Sequence, residues 1–232
     1  MATDLYPKWD YEEYPKTLGE ADFWGQVRRT VMGKPVSEDQ LLLIDESINN
    51  GLQIKNEDHI LDLGCGNGAL ASRLYGFFNS YIGVDPSQYL VDIGNKFFSD
   101  RQHAFVCNDA VGFLRQEAHS YCFNKVLCYG ALPYLSTVDV KSVLSLLNSN
   151  FPAVELIFLG NIPDREMAVQ YYGKERLREA DLDSEKTQIG IWYGHEELKQ
   201  IAKETGWCAT VKLMPEDYYQ AHYRYNLVLA RQ

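Results

Sequence analysis

The stretch HILDLGCGNGAL, His59 to Leu70, decides how this chain is read. An apolar run ends in Gly64, Gly66 and Gly68 and is followed by Ala69, the order in which a buried strand gives way to a tight turn and a helix. Glycines in such a turn let the backbone approach a ligand that a Cβ would exclude. The spacing fits the dinucleotide pattern G-x-G-x-x-G/A, but it fits a second nucleotide-like cofactor equally well. The rest of the chain has to separate them.

Outward from this turn, strand-like and helix-like segments alternate. Candidate strands are HILDLG (59–64), YIGVD (81–85), AFVCND (104–109), KVLCYG (125–130) and VELIFLGN (154–161). Apolar residues recur at helical spacing over 69–78, 87–98, 109–117 and 138–148, and SEDQLLLIDESIN (37–49) reads as a preceding helix with Ser37 as N-cap. Single helices between strands imply a parallel sheet with right-handed crossovers and helices on both faces. The ending differs: after the helix GHEELKQIAKETGW come CATVKLM (208–214) and YRYNLVLA (223–230), joined by PEDYYQAH. That link is too short for a crossover, so the last pair is antiparallel. The expected fold is α/β, a Rossmann-like doubly wound seven-stranded sheet, mostly parallel with an antiparallel last strand. Residues 37–232 form its domain, 1–36 an aromatic-rich N-terminal lid, and about 161–193 an insertion over the ligand edge.

Bulk properties narrow the function. A net charge of −10 over 232 residues argues against a nucleic-acid footprint, and the one basic cluster, VRRTVMGK (27–34), reads as solvated surface. No apolar run approaches the roughly 20 residues of a membrane span. The start, MATDLYPKWDYEEYPK, lacks the basic and apolar regions of a signal peptide. Five scattered cysteines without a C-x-x-C pair fit a reducing compartment. A cytoplasmic protein is expected, without nucleic acid or membrane as partner.

Ligands of doubly wound sheets sit beyond the carboxyl ends of the strands. Asp85 ends the second strand, where a carboxylate can take both hydroxyls of a ribose, which suits NAD and S-adenosylmethionine alike. Three features favour the latter. Asp62 stands inside a D-x-G-x-G-x-G pattern, CNDA (107–110) ends the third strand where an adenine edge would lie, and the terminal hairpin leaves no room for a dehydrogenase's catalytic domain. With these residues, ILDLGCGNGAL, YIGVDPS, VCNDA and VLCYGALPYL resemble the successive cofactor motifs of class I S-adenosylmethionine-dependent methyltransferases. The resemblance runs from about residue 37 to the C-terminus. It implies that Gly64, Cys65, Gly66 and Asn67 hold the methionine part, with Asp62 on its ammonium. Asp85 would take the ribose, Pro86 and Ser87 would flank the adenine, Asn108, Asp109 and Ala110 would contact it, and Cys128 and Tyr129 would lie under the sulfonium. For Asp62 or Asn67 alone, turn chemistry is an equal reading.

The acceptor side is argued from topology. His59 and His103 begin strands and His119 precedes one, so all three belong at the edge away from the cofactor. His195 and His222 belong at the active edge. His195 opens a helix whose N-cap is Gly194, which leaves the imidazole free to act as base or acceptor ligand; packing on Trp192 is its structural alternative. Tyr129 is the second catalytic candidate. Asn161, Asp164 and Arg165 begin the insertion, and Arg165 either meets an anionic acceptor or anchors the loop through a salt bridge. Tyr11 and Tyr14 close the lid or pack in the core. Tyr223 and Arg224 alternate along a strand, so at most one points inward. The amino-methylating signature N-[DP]-P-P-[YFW] is replaced by CYGALPY, and Tyr129 stands where metal-dependent relatives carry an acid. The reading is methyl transfer to oxygen or nitrogen of a small polar, anionic or sugar-linked metabolite. Its alternatives are a short NAD(P)-dependent oxidoreductase and a non-catalytic partner subunit of the same fold.

Overall fold

Five parallel strands form most of the sheet in the computed structural model, which describes residues 11–116 and 122–232. They are β1 (His59–Leu63), β2 (Ser80–Asp85), β3 (His103–Cys107), β4 (Lys125–Tyr129) and β5 (Leu156–Pro163), followed by β6 (Trp207–Leu213) and β7 (Arg224–Arg231). The order across the sheet is β3-β2-β1-β4-β5-β7-β6, with β7 antiparallel to both neighbours. Sequential strands run outward from β1 in one direction and then restart at β4 on its other side. A crevice therefore opens between the carboxyl ends of β1 and β4.

Helices cover both faces, as the alternating pattern requires. Leu41, Ile44, Ile48 and Leu52 of α1 (Glu38–Leu52) pack on one face, beside α2 (Ala69–Ser72) and α3 (Gln88–Phe97). On the other lie α4 (Ala110–Gln116), α5 (Thr137–Asn150) and, after α6 (Ala168–Leu177), α7 (His195–Glu204). Ser87 and Ser136 cap α3 and α5, accepting the amides of Leu90 and Asp139. Ser37 occupies the N-cap of α1, but its side chain makes no capping bond.

Two expected elements differ. The helix over 69–78 regularises only as Ala69–Ser72; beyond it the amides of Arg73, Leu74 and Tyr75 bond three residues back, and Gly76 at φ +92° ends the run. The segment 164–193 is more than a loop. It leaves and returns beside β5, where the amide of Tyr193 bonds the carbonyl of Pro163, and it carries α6 with a break at Gly173. Its own apolar cluster joins Ala168, Ile189, Trp192 and Tyr223. Residues 11–35 form two single turns, Glu13–Lys16 and Phe23–Gln26, and a two-residue hairpin. Among the described residues no helix is long and apolar enough to cross a membrane, and all five cysteines are free. His119 lies outside the described residues.

Candidate active site

A cavity of about 570 Å³ opens at the crevice between β1 and β4. Its floor is the turn Gly64–Asn67 with the end of β2. Gly64 and Gly66 lie at φ +77° and +58°; a Cβ on Gly64 would stand 2.2 Å from that of Ala131, and one on Gly66 2.8 Å from Val27 Cγ1. Side chains are thus excluded both by conformation and by space.

Asp85 joins the two loops of this floor. Its Oδ2 accepts the Gly66 amide (2.8 Å) and its Oδ1 that of Ser87 (3.0 Å). Burial raises its pKa, and the two amide bonds oppose the rise. Asp62 is more deeply set, accepting the Tyr81 hydroxyl at 2.9 Å. Burial, with the charge of Asp85 adding to it, pushes its carboxyl up to about 7. Asp109 lines the cavity and caps the start of α4 by accepting the Gly112 amide (2.7 Å). These three acids occupy one half of the cavity.

The other half is aromatic and basic. Tyr129, Tyr219 and Tyr223 line it with Arg29, Asn161 and Arg224. Asn161 sits where the β5–β7 register shifts, between Leu159 and Ile162, at φ +61°. Such a bulge frees a residue from the ladder and re-aims it: the Asn161 amide goes to Asn226 Oδ1 (2.9 Å), its carbonyl accepts Arg224 Nη1 (2.6 Å), and its Oδ1 is buried without a partner. Two segments cover the cavity: Tyr11, Tyr14 and 27–30 from the N-terminal turns, and Tyr171, Gln188 and Ile189 from the insertion. The N-terminal cover is tied to the floor itself. Asn67 Nδ2 donates to Phe23 O (2.8 Å) and Gln26 Oε1 (2.9 Å), and Ser87 Oγ donates to Glu12 Oε2 (2.9 Å).

Residues 60–149, which hold the glycine turn, the β2 acid and the β4 edge, match the family model described as a methyltransferase domain. This stretch of the chain is thus similar to a methyltransferase domain. A protein of Schizosaccharomyces pombe described as an uncharacterized methyltransferase is 29% identical over 151 residues, covering 56% of this chain and 53% of its own. The chain thus spans about half the length of the curated relative it matches. Among solved structures, the magnesium protoporphyrin IX methyltransferase of Synechocystis PCC 6803, with S-adenosylhomocysteine bound, superposes with a TM-score of 0.61 at 16% identity, over 91% of this chain and 97% of that one. A TehB-like S-adenosylmethionine-dependent methyltransferase of Corynebacterium glutamicum gives 0.59 at 14% identity, over 92% and 98%. These two likenesses establish the shared fold.

The donor set suits the methyltransferase cofactor. The glycine turn gives close backbone approach, a buried acid stands by it, and a second acid ends β2. Of the residues that the resemblance assigned to the cofactor, Asp62, Gly64, Cys65, Gly66, Asn67, Asp85, Pro86, Asp109 and Ala110 line the cavity. Ser87, Asn108 and Cys128 do not. Neighbouring side chains on a strand face opposite sides, so with Tyr129 in the cavity Cys128 points into the apolar cluster under α5. Ser87 is spent on capping α3 and on the N-terminal cover, as is the amide of Asn67.

On the acceptor side Tyr11, Tyr14, Tyr129, Asn161, Tyr223 and Arg224 line the cavity, and His195 and Arg165 do not. His195 stands at the carboxyl edge, but α7 packs on the α4–α5 face. Its ring lies 4.3 Å from that of Tyr225, and Nε2 is 3.1 Å from Asp164 Oδ2. Arg165 anchors the insertion, with Nε on Trp192 O (2.9 Å) and Nη2 on Asp183. Tyr223 and Arg224 both face inward, because Tyr223 precedes β7 and lies in a turn (its amide bonds Gln220 O), where strand alternation does not apply. Arg28 and Arg29, read from sequence as solvated surface, line the cavity, as do Tyr134, Tyr171 and Tyr219. The pair Tyr218-Tyr219, in the short link to the reversed strand, was the sequence signal for the last of these.

Proposed function

We propose that this chain transfers a methyl group from S-adenosylmethionine to an oxygen or nitrogen of a small polar metabolite, in the cytoplasm. The cofactor supplies a methyl carbon already activated by positive sulfur. In this proposal the glycine turn receives the methionine part, Asp62 its ammonium, Asp85 the ribose hydroxyls, and Asp109 with Ala110 the adenine. Tyr129, Asn161, Tyr223 and Arg224 shape the acceptor's place beneath Tyr11 and Tyr14. The protein's contribution is alignment and exclusion of water, which suits a cavity roofed by two separate segments. The single observation that carries the reading is the continuity of that cavity, about 570 Å³ from the Asp85 loop to the tyrosine wall, within the span of pockets that enclose small molecules (roughly 300–1,000 Å³).

A mass-spectrometric search for small molecules that co-purify with the protein, followed by a screen of candidate acceptors for S-adenosylhomocysteine release, tests it. Turnover on a small hydroxylated, carboxylated or amino compound is expected. Tight binding of cofactor with no turnover on any small compound, and stimulation of a second protein's activity instead, would establish the partner-subunit alternative.

A further inference from the structure

Two guanidiniums face the aromatic half of the cavity, and among the described residues neither has a counter-ion. Arg224, at the start of β7, is 8% exposed. Its Nη1 is held by the Asn161 carbonyl (2.6 Å), its guanidinium carbon lies 5.1 Å from the Tyr223 ring centroid, and its Nε is buried without a partner. Arg29 comes from a different segment, the N-terminal cover, with its guanidinium carbon 4.9 Å from the Tyr129 ring centroid and its Nε likewise buried and unpartnered. Both lie close enough to Tyr129 to pull its pKa down against the rise that burial imposes. Among the described residues neither has a carboxylate within ion-pair distance, although the chain carries 32 acids against 22 lysines and arginines. The acids that line the cavity are Asp62, Asp85 and Asp109, in its other half.

A buried cation with unsatisfied donors is costly unless an anion completes it. Planar N–H forks from two separate segments match a carboxylate or a phosphate. We propose that Arg224 and Arg29 clamp an anionic group of the acceptor, so that the substrate is an organic carboxylate or phosphate ester whose uncharged body packs on the tyrosine wall. This rests on the methyltransferase reading and deepens it from a polar metabolite to an organic anion. Arg224 commits the anion to the acceptor rather than to the cofactor's own carboxylate. Its electrostatic neighbours are Tyr134, Tyr218 and Tyr223, on the acceptor side, whereas Arg29 alone also acts on Asp62.

The test uses the full chain loaded with S-adenosylhomocysteine and three probes that share a phenyl ring: benzoate, phenyl phosphate and neutral benzamide. Calorimetry on wild type is expected to show at least one anion binding tenfold or more tighter than benzamide, and which anion wins names the source. Arg224→Gln should abolish that preference, Arg29→Gln should cut it at least threefold, and Arg224→Lys should restore part of it. Affinity for S-adenosylhomocysteine should stay within twofold in all three variants, which also shows that each is folded. Equal binding of all three probes to wild type, or an undiminished preference in Arg224→Gln, would overturn the clamp. So would a tenfold loss of S-adenosylhomocysteine affinity in Arg224→Gln, since the guanidinium would then serve the cofactor. Failure of wild type to bind S-adenosylhomocysteine at all would instead refute the underlying methyltransferase reading.

Discussion

Asp62→Asn should make the empty protein more stable and the cofactor site worse, with both effects controlled by pH. In the folded chain burial moves the Asp62 carboxyl from 3.8 to about 7. Folding therefore favours the protonated form: between these values the folded state holds a proton that the unfolded state has released. Stability from this group is complete below pH 3.8 and falls by about 1.4 kcal/mol per pH unit. Above pH 7 the loss reaches about 4 kcal/mol. Asparagine keeps an oxygen to accept the Tyr81 hydroxyl but carries no charge to bury. The variant should match wild type near pH 4 and exceed it by up to about 4 kcal/mol at pH 8, on the order of 10 °C in Tm for a chain of this size. S-adenosylhomocysteine should show the opposite order. Wild-type affinity should rise with pH up to about 7, as the carboxylate proposed to meet its ammonium forms, and then level. The variant binds about tenfold or more weaker at pH 8, since one charge-assisted bond is worth about 1.5–3 kcal/mol. Urea melts from pH 4 to 8, paired with calorimetry, read both effects. Melts of the two proteins that run parallel across this range would refute the assignment of a buried, proton-holding Asp62.

Asp85→Ala should weaken S-adenosylhomocysteine binding tenfold or more by calorimetry. It should also lower stability by about 1–3 kcal/mol, because the carboxylate holds the amides of Gly66 and Ser87 together. Asn67→Ala frees the carbonyl of Phe23 and the side-chain oxygen of Gln26 from the floor, so limited proteolysis within residues 11–35 should accelerate severalfold while β-sheet circular dichroism stays unchanged. His195→Ala should leave S-adenosylhomocysteine affinity and turnover near wild type and lower Tm by a few degrees, through loss of its contact with Tyr225. A hundredfold fall in turnover would return His195 to the chemistry.

The sheet was legible because its signals are local and redundant. Apolar runs end at Gly64 and Asp85, and a link of eight residues between the last strands leaves only antiparallel pairing. The glycine-turn half of the cavity shared this legibility, since Asp62, Gly64, Gly66 and Asp85 follow directly from the ends of β1 and β2. What sequence concealed is which face a residue takes once an element ends or the chain returns. Helical spacing continues through 69–78 although the backbone tightens after Ser72, because three-residue turns keep apolar side chains on nearly the same side. Topology placed His195 at the correct edge, but α7 covers the α4–α5 face and carries the imidazole away from the cavity. Arg29 sat in a short basic run with no local sign that it would fold back onto Tyr129. Topology brought Asn161 to the ligand edge, where it lines the cavity, but the bulge that turns it there was announced by no spacing.

The central claim is that the Gly64–Asn67 turn and Asp85 form a site for S-adenosylmethionine, and calorimetric titration of the full chain with S-adenosylmethionine, S-adenosylhomocysteine and NADH tests it most directly. One-to-one binding of the first two at micromolar concentration, and none of NADH, is the predicted result. No heat from either sulfur compound at millimolar concentration would contradict it.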